Sequence, residues 1–217
     1  MAKQKITTPK GELHWVFIDG EGSLNDLNDQ YEYKATLVLD ADSNECKELQ
    51  AKYDTLWENS ADKKKFDEDY ANAKPALQAK MEFHKGYSEV LDDDEQPTGK
   101  VQFRFKTGTT YKPKKGEEVG KPVKIVVYNA KAKKIDLGDT KVGNGTIGRI
   151  AGTISSYYKA TNAGVSGYLS SIQIIELVEY VDNEFEEEEG YTGEDEPSNE
   201  FTGNETPDVT EDTPEGL

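Results

Sequence analysis

Lys100-Val101-Gln102-Phe103-Arg104-Phe105-Lys106 alternates apolar and polar residues at every step after its first lysine. Successive side chains of an extended chain point to opposite faces, so this is the pattern of a half-buried strand. Val101, Phe103 and Phe105 belong to an inner face, and Gln102, Arg104 and Lys106 to an outer one. Tyr31–Leu39 repeats the arrangement, with Tyr31, Tyr33, Ala35, Leu37 and Leu39 on one face and Glu32, Lys34, Thr36 and Val38 on the other. Leu13–Ile18, which holds Trp15 and Phe17 and is followed by Gly20 and Gly22, reads as a short strand. Val123–Tyr128, Arg149–Tyr158 and Tyr168–Val181 are rich in the β-branched and aromatic residues that strands favour. Turn chemistry separates these runs: four acids followed by Pro97 and Gly99, Pro113 within Thr109–Lys115, the basic Ala130–Lys134, and three glycines in Lys141–Gly148.

Residues 43–85 follow a different period. Ser43 or Asn44 can cap a helix, and Cys46, Leu49, Tyr53, Leu56 and Trp57 fall on one helical face. A second helix is expected over Ala61–Ala73, where Phe66 and Tyr70 are four apart, and Pro75 is expected to end or kink it. The Lys63-Lys64-Lys65 run before Asp67, Glu68 and Asp69 reads as a solvated helix face. About five to seven short strands with Gly/Pro turns point to a closed barrel or a sandwich, and a helical insertion between strands is the arrangement of an OB-type barrel. The expected fold is mainly β, an OB-type five-stranded Greek-key barrel over residues 1–181, with the helical insertion between early strands at about 43–85.

Charge divides the chain further. The 217 residues carry a formal net charge of −17, but Asp182–Leu217 alone holds fifteen acids and no Lys or Arg. That segment is made of Glu, Asp, Gly, Pro, Thr, Asn and Ser with scattered Phe185, Tyr191 and Phe201, and is expected to be a disordered acidic tail. Residues 1–96 carry 12 basic and 22 acidic groups, whereas residues 97–181 carry 14 basic and 6 acidic ones. A chain that is acidic overall therefore contains a basic half that a polyanion would meet. Cys46 is the single cysteine, so no internal disulfide is expected, and with only His14 and His84 a Cys/His metal site is not expected either. No stretch has the roughly 20 apolar residues of a membrane span, and Met1–Lys5 is not followed by the apolar run of a signal peptide.

Catalytic patterns are sparse. The sequence has no Gly-x-Ser-x-Gly, no Walker-type loop, no His-Glu-x-x-His and no Cys-x-x-Cys. Gly143-x-Gly145-x-x-Gly148 matches the dinucleotide fingerprint by letter, yet lies among strands without the helix that the fingerprint needs, and reads as a glycine-rich turn. Asp92-Asp93-Asp94-Glu95 lacks the spaced ligands of a calcium loop. No cofactor and no enzymatic activity are expected.

Single-strand binding is better supported. Proteins that take single strands combine a basic groove along the backbone with aromatic rings on which bases stack. The basic half interleaves both types: Phe103-Arg104-Phe105-Lys106, Tyr111-Lys112-Pro113-Lys114-Lys115, Tyr128 with Lys131, Lys133 and Lys134, and Tyr157-Tyr158-Lys159. If Phe103 and Phe105 fill the core, Arg104 and Lys106 line the outer surface, where Lys34 could join them. The groove residues expected on this reasoning are Lys34, Arg104, Lys106, Tyr111, Lys112, Tyr128, Lys131, Tyr157, Tyr158 and Lys159. The alternative is a β-barrel protein-interaction module with a solubility tail, since ring and lysine patterns also serve cores and soluble sheets.

Val126–Lys134, the Gly143–Gly148 turn, Ile154–Lys159, Asn162–Ser166, Ile172–Tyr180, the Phe103–Lys106 strand and the Met1-Ala2-Lys3 start together resemble the single-stranded DNA-binding proteins that bacteriophages encode for replication. The order of parts agrees as well. The resemblance implies an OB fold, a basic aromatic groove for single-stranded DNA, strand annealing, and an acidic tail that contacts the phage DNA polymerase and helicase–primase. It also implies a role in the cytoplasm of an infected bacterial host, and some members form dimers through the tail. Carried over by position, Lys34 and Tyr157-Tyr158-Lys159 contact DNA. This chain ends Glu215-Gly216-Leu217, whereas some members end in an aromatic residue that partners need; Leu217, Phe201 or Tyr191 is left for that role.

Overall fold

The computed structural model describes residues 2–25, 29–111 and 120–180. Expectations for Lys112 and for the acidic segment 182–217 lie outside the described residues. In chain order the elements are strands β1 (Lys3–Thr7), β2 (Gly11–Phe17), β3 (Ser23–Asn25) and β4 (Gln30–Asp40), helices α1 (Asn44–Glu58), α2 (Ala61–Asn72) and α3 (Pro75–Gln78), then strands β5 (Glu82–His84), β6 (Tyr87–Leu91), β7 (Pro97–Gly108), β8 (Val126–Tyr128), β9 (Lys134–Ile135), β10 (Thr146–Lys159) and β11 (Asn162–Glu176).

Five of the strands close a barrel in the order β2-β4-β7-β11-β10, with β10 returning to pair with β2. All these pairings are antiparallel except β7–β11, which is parallel at Gly167 and Phe105. This is the expected OB-type barrel, and the helices fall between β4 and β7, as the sequence pattern indicates. The alternation of Lys100–Lys106 and Tyr31–Leu39 explains the closure. Ala35, Leu37, Phe103 and Phe105 are fully buried and meet Leu13, Ile150, Ile154 and Ile172 from the other strands. β10 is 14 residues long and must coil to pair with β1, β2 and β11. It does so with register shifts at Ile147/Gly148 and Ala151/Gly152. A Cβ at Gly152 would stand 2.1 Å from the Tyr168 carbonyl oxygen, so only glycine admits that approach.

The Ser43 hydroxyl caps α1 by accepting the Cys46 N–H, and the Ser60 hydroxyl caps α2 by accepting the Lys63 N–H. α1 lays Cys46, Leu49, Tyr53 and Trp57 against the barrel, the face expected from their spacing. The Lys63–Lys65 run behaves as a helix surface, with Lys63 paired to Asp67 at 2.6 Å and Glu58 at 3.7 Å.

Several boundaries differ from the sequence reading. Pro75 opens α3 rather than only closing α2, because a proline at the first helical position loses no hydrogen bond. The helical region ends at Gln78, and Glu82–His84 adds a parallel strand to β11. The last long strand begins at Asn162, six residues earlier than the apolar run suggests, and only Val126–Tyr128 of the Val123–Tyr128 run is strand. β1, β3, β5, β6 and β9 are too short or too polar to stand out by periodicity.

Candidate nucleic-acid interface

The β4–β7 register places the outer faces of two barrel strands side by side. Lys34 pairs with Lys106, and Thr36 pairs with Arg104. Around them opens a cleft of about 850 Å³ lined by residues of β2, β4, β5, β6, β7, β10 and β11. Lys34, Arg104, Lys106 and Tyr157, four of the expected groove residues, line it together.

Charge in the cleft is mostly unneutralised. Among the described residues neither Lys34 nor Arg104 forms an ion pair. The Lys34 ammonium instead lies 4.9 Å from the centre of the Phe17 ring, a cation–π distance. Lys106 is tied to Glu32 at 3.3 Å, and Asn25 also donates to that carboxylate at 3.2 Å. Glu32 is thus held in the cleft as its local counter-charge.

One wall carries the Trp15 ring, which the strand pattern alone does not assign to the groove. β2 carries a bulge, since three steps from His14 to Phe17 match two steps from Thr36 to Lys34 on β4. Trp15 sits in the bulge with φ +53°, a left-handed conformation costly for any residue with a Cβ. Its N–H donates to the Asn144 side-chain oxygen at 2.9 Å, and the Gly145 N–H donates to the Leu13 carbonyl at 3.1 Å. The Gly143–Gly148 segment, read as a turn, therefore serves as the clamp of this bulge before passing into β10. The Trp15 ring lines the cleft and is 58% exposed. Positive φ in a bulky residue that is largely exposed makes Trp15 a candidate functional position.

The opposite wall comes from Phe83, His84, Lys85, Gly86, Tyr87 and Ser88. Phe83 leans on Trp57 of α1, with ring centroids 4.8 Å apart. This wall depends on β5 approaching β11 closely, because a Cβ at Gly164 would lie 2.0 Å from the His84 carbonyl oxygen. Lys85 lies 5.7 Å from the Tyr87 ring centre. Burial, and secondarily the adjoining Tyr168, raises the pKa of the Tyr157 hydroxyl, so this ring is neutral and half-buried at the cleft floor.

The other expected residues lie elsewhere. Tyr158, next in sequence to Tyr157, faces the other way and packs edge-on to Phe66 of α2 at 5.5 Å, with Lys65 5.8 Å from its ring centre. Burial, then Asp69, raises its pKa. Lys159 is exposed at the end of β10. Tyr111 is exposed three residues beyond β7, its N–H bonded to the Lys121 carbonyl. Tyr128 and Lys131 belong to the β8–β9 hairpin, away from the cleft lining. The Asp92–Glu95 acids form the β6–β7 turn, in which Asp92 accepts the backbone N–H groups of Asp94 and Gln96. No three His, Cys, Asp or Glu residues cluster as metal ligands among the described residues, and none of their helices is long and apolar enough to cross a membrane.

A closed five-stranded barrel with an open basic and aromatic cleft across its second and third strands defines the class of OB-type oligonucleotide-binding barrels. The family described as "Single-stranded DNA-binding protein, Bacteriophage T7" matches residues 14–177, and the chain belongs to that family. The family is one of binding proteins rather than enzymes. Among solved structures, gp2.5, the single-stranded DNA-binding protein of bacteriophage T7, is 22% identical; the alignment covers 88% of this chain and 98% of that one, with a TM-score of 0.57. The single-stranded DNA-binding protein of bacteriophage Enc34 in complex with single-stranded DNA is 11% identical, covering 79% of this chain and 86% of its own, with a TM-score of 0.52. The C-terminally truncated Enc34 protein is 13% identical, covering 82% and 88%, with a TM-score of 0.52. Identities at this level establish the shared fold. No curated protein sequence matches the chain.

Proposed function

We propose that this chain binds single-stranded DNA, without strong sequence preference, in the cleft across β4 and β7. The observation that carries the reading is the meeting of Lys34 and Arg104, both without ion pairs among the described residues, with Trp15 held by Asn144 at the cleft edge. The cations track the phosphates and the rings take bases, a mode tolerant of sequence because every base has a π-face. Lys106, Tyr111 and Lys159 extend the contact toward the ends of β7 and β10, and Lys112, outside the described residues, is kept as a further contact. Membership of the phage family, and the Enc34 relative described in complex with single-stranded DNA, support the same reading.

Residues 1–181 form the binding domain in this proposal, and the acidic segment 182–217 is a tethered competitor. A flexible tether raises the local concentration of its charges to the mM range for short links. The tail then competes with weakly bound DNA and, once displaced, is available to the phage DNA polymerase and helicase–primase, to a second copy of the chain, and to the replication and recombination work of an infected host cell.

The experiment is fluorescence anisotropy of labelled oligo-dT against the full chain and against residues 1–181, at low and moderate salt. The expected result is binding that weakens steeply with salt, tighter for the truncated chain. Absence of binding by both forms would reject the cleft and favour the interaction-module alternative; equal affinity of the two would reject the competing tail.

A further inference from the structure

The outer surface of the barrel does not stop at the cleft. Tyr157 and Ser166 line the cleft from β10 and β11. Along the same outer face, Tyr168 of β11 pairs with Thr153 of β10, which pairs with Lys5 of β1. The bulge opposite Ala151/Gly152 shifts the alternation of β11 by one residue, so Tyr168 and Gln173 share a face despite their odd spacing. Gln173 in turn lies between Arg149 of β10 and Tyr128 of β8, and Tyr128 pairs with Lys134 of β9.

A ledge results, running from the cleft edge across β11, β10 and β1 and along to the β8–β9 hairpin. Tyr168 is 47% exposed upon it. Lys5, Lys131 and Lys134 are exposed, and among the described residues none of them forms an ion pair. Arg149 donates to the Thr8 carbonyl at 3.2 Å, which fixes its position without cancelling its charge. The hairpin tip is preset, because the Asn129 side-chain oxygen accepts the N–H groups of Lys131 and Lys133 at 3.0 Å. The neighbouring Asp136 turns its carboxylate to the Gly138 N–H at 3.1 Å. Three strand spacings of about 4.8 Å separate β7 from β1, and four residues of about 3.3 Å separate the Lys5 and Arg149 rows. The ledge thus adds a path on the order of 25 Å to the cleft, long enough for several further nucleotides.

We infer that a bound single strand continues out of the cleft, over Tyr168, onto this ledge, which makes the ledge a length-dependent contact surface for the same strand. The inference rests on the single-strand reading of the cleft and adds a site that short strands do not reach. A basic face carrying unpaired cations, one exposed tyrosine ring (Tyr168) and one half-buried ring (Tyr128) is the chemistry a single-stranded polyanion calls for. It also gives Tyr128 and Lys131, which the cleft does not include, a place on the strand's path.

The test uses the full chain with labelled oligo-dT of about 5 and about 14 nucleotides, both inside the roughly 4–16 nucleotides that OB folds cover. Wild type is compared with the triple variant Lys5→Ala, Lys131→Ala, Lys134→Ala and, separately, with Tyr168→Ala. The expected result is a steeper salt dependence for the longer strand on wild type. The triple variant should lower that slope by about 2, from three lost phosphates at roughly 0.7 each. It should also weaken the longer strand about 10-fold at low salt, a loss that shrinks as salt screens the contacts. Short-strand affinity should stay within about twofold in both variants, since those phosphates never reach the ledge. Equal weakening of short and long strands, or an unchanged long strand, would overturn the ledge while leaving the cleft intact. Failure of wild type to bind either length would overturn the cleft reading, and the ledge with it.

Discussion

Replacing Trp15 with glycine removes a ring from the cleft and a strained backbone from the fold at once, and the two effects have opposite signs for stability. Trp15 holds φ +53°, and a left-handed conformation costs about 1–2 kcal/mol for an L-residue. Glycine removes that cost, although its greater freedom in the unfolded chain returns about 0.5–1 kcal/mol. The ring is 58% exposed. A packed tryptophan buries on the order of 150–250 Å², so roughly 60–100 Å² of Trp15 is covered, worth about 1.5–2.5 kcal/mol. Trp15→Gly should therefore destabilise the fold by only about 1–2 kcal/mol. Binding behaves otherwise, because the loss of a stacked base costs about 1–3 kcal/mol, a fall of roughly 5- to 150-fold in affinity. The chain contains two tryptophans, and the other, Trp57, is buried beneath α2 and β5. Titration with oligo-dT should therefore quench intrinsic fluorescence through Trp15, and Trp15→Phe should abolish most of the quenching while retaining most of the affinity. Wild-type affinity in Trp15→Gly, or quenching that survives it, would refute the assignment of this ring to the DNA.

Lys34→Ala should weaken binding and lower the salt slope by about 0.7, one single-strand phosphate, whereas Glu32→Gln frees Lys106 and should tighten binding; anisotropy across a salt series reads both, and equal effects of the same sign would contradict the charge arrangement. The buried Tyr53 hydroxyl has no hydrogen-bond partner among the described residues, so Tyr53→Phe should leave stability unchanged or raise it by about 1 kcal/mol in urea unfolding. Burial, reinforced by the Asp54 carboxylate 3.0 Å away, pushes the Tyr87 hydroxyl up to about 12. The fold favours its neutral form, so its contribution is complete below the ordinary phenol value near 10 and is lost as pH rises from there toward 12. Thermal scans across this window should show a fall in Tm that Tyr87→Phe reduces.

The barrel was legible wherever a strand carries a buried face and a wet face along its whole length. β7 does so, and β4 does so as far as Lys34, beyond which Thr36 and Val38 are buried on the outer side too; the placing of Lys34 beside the Arg104 strand followed from parity alone. β1 did not stand out, because Lys3–Thr7 offers Ile6 as its single buried side chain. β5 was unreadable for another reason: its three residues are strand only because Gly164, eighty positions after His84, lets their backbone approach. Parity also separates Tyr157 from Tyr158, since adjacent residues of a strand cannot line one groove. Trp15 was hidden more deeply. It lies in an ordinary apolar run, and what turns its ring into the cleft is a bulge clamped by Asn144, 129 residues away. The Gly143–Gly148 pattern was recognisable as a turn, but nothing local says which strand it holds.

The register of β4 against β7 ties the core to the site. The pairing that buries Ala35 with Phe105 and Leu37 with Phe103 also sets Lys34 opposite Lys106. A slip of one residue would expose the phenylalanines and bury the cations, so packing alone enforces the juxtaposition. Like charges directly opposite on one sheet face repel, which is an odd choice for a surface that only has to stay soluble. The structure relieves the repulsion only in part, through Glu32 beside Lys106 and the Phe17 ring beside Lys34. Phosphates between the two strands would relieve the remainder, and would do so without asking which base they carry. On the proposed reading, the same feature that strains the free cleft would supply both affinity for a polyanion and indifference to sequence.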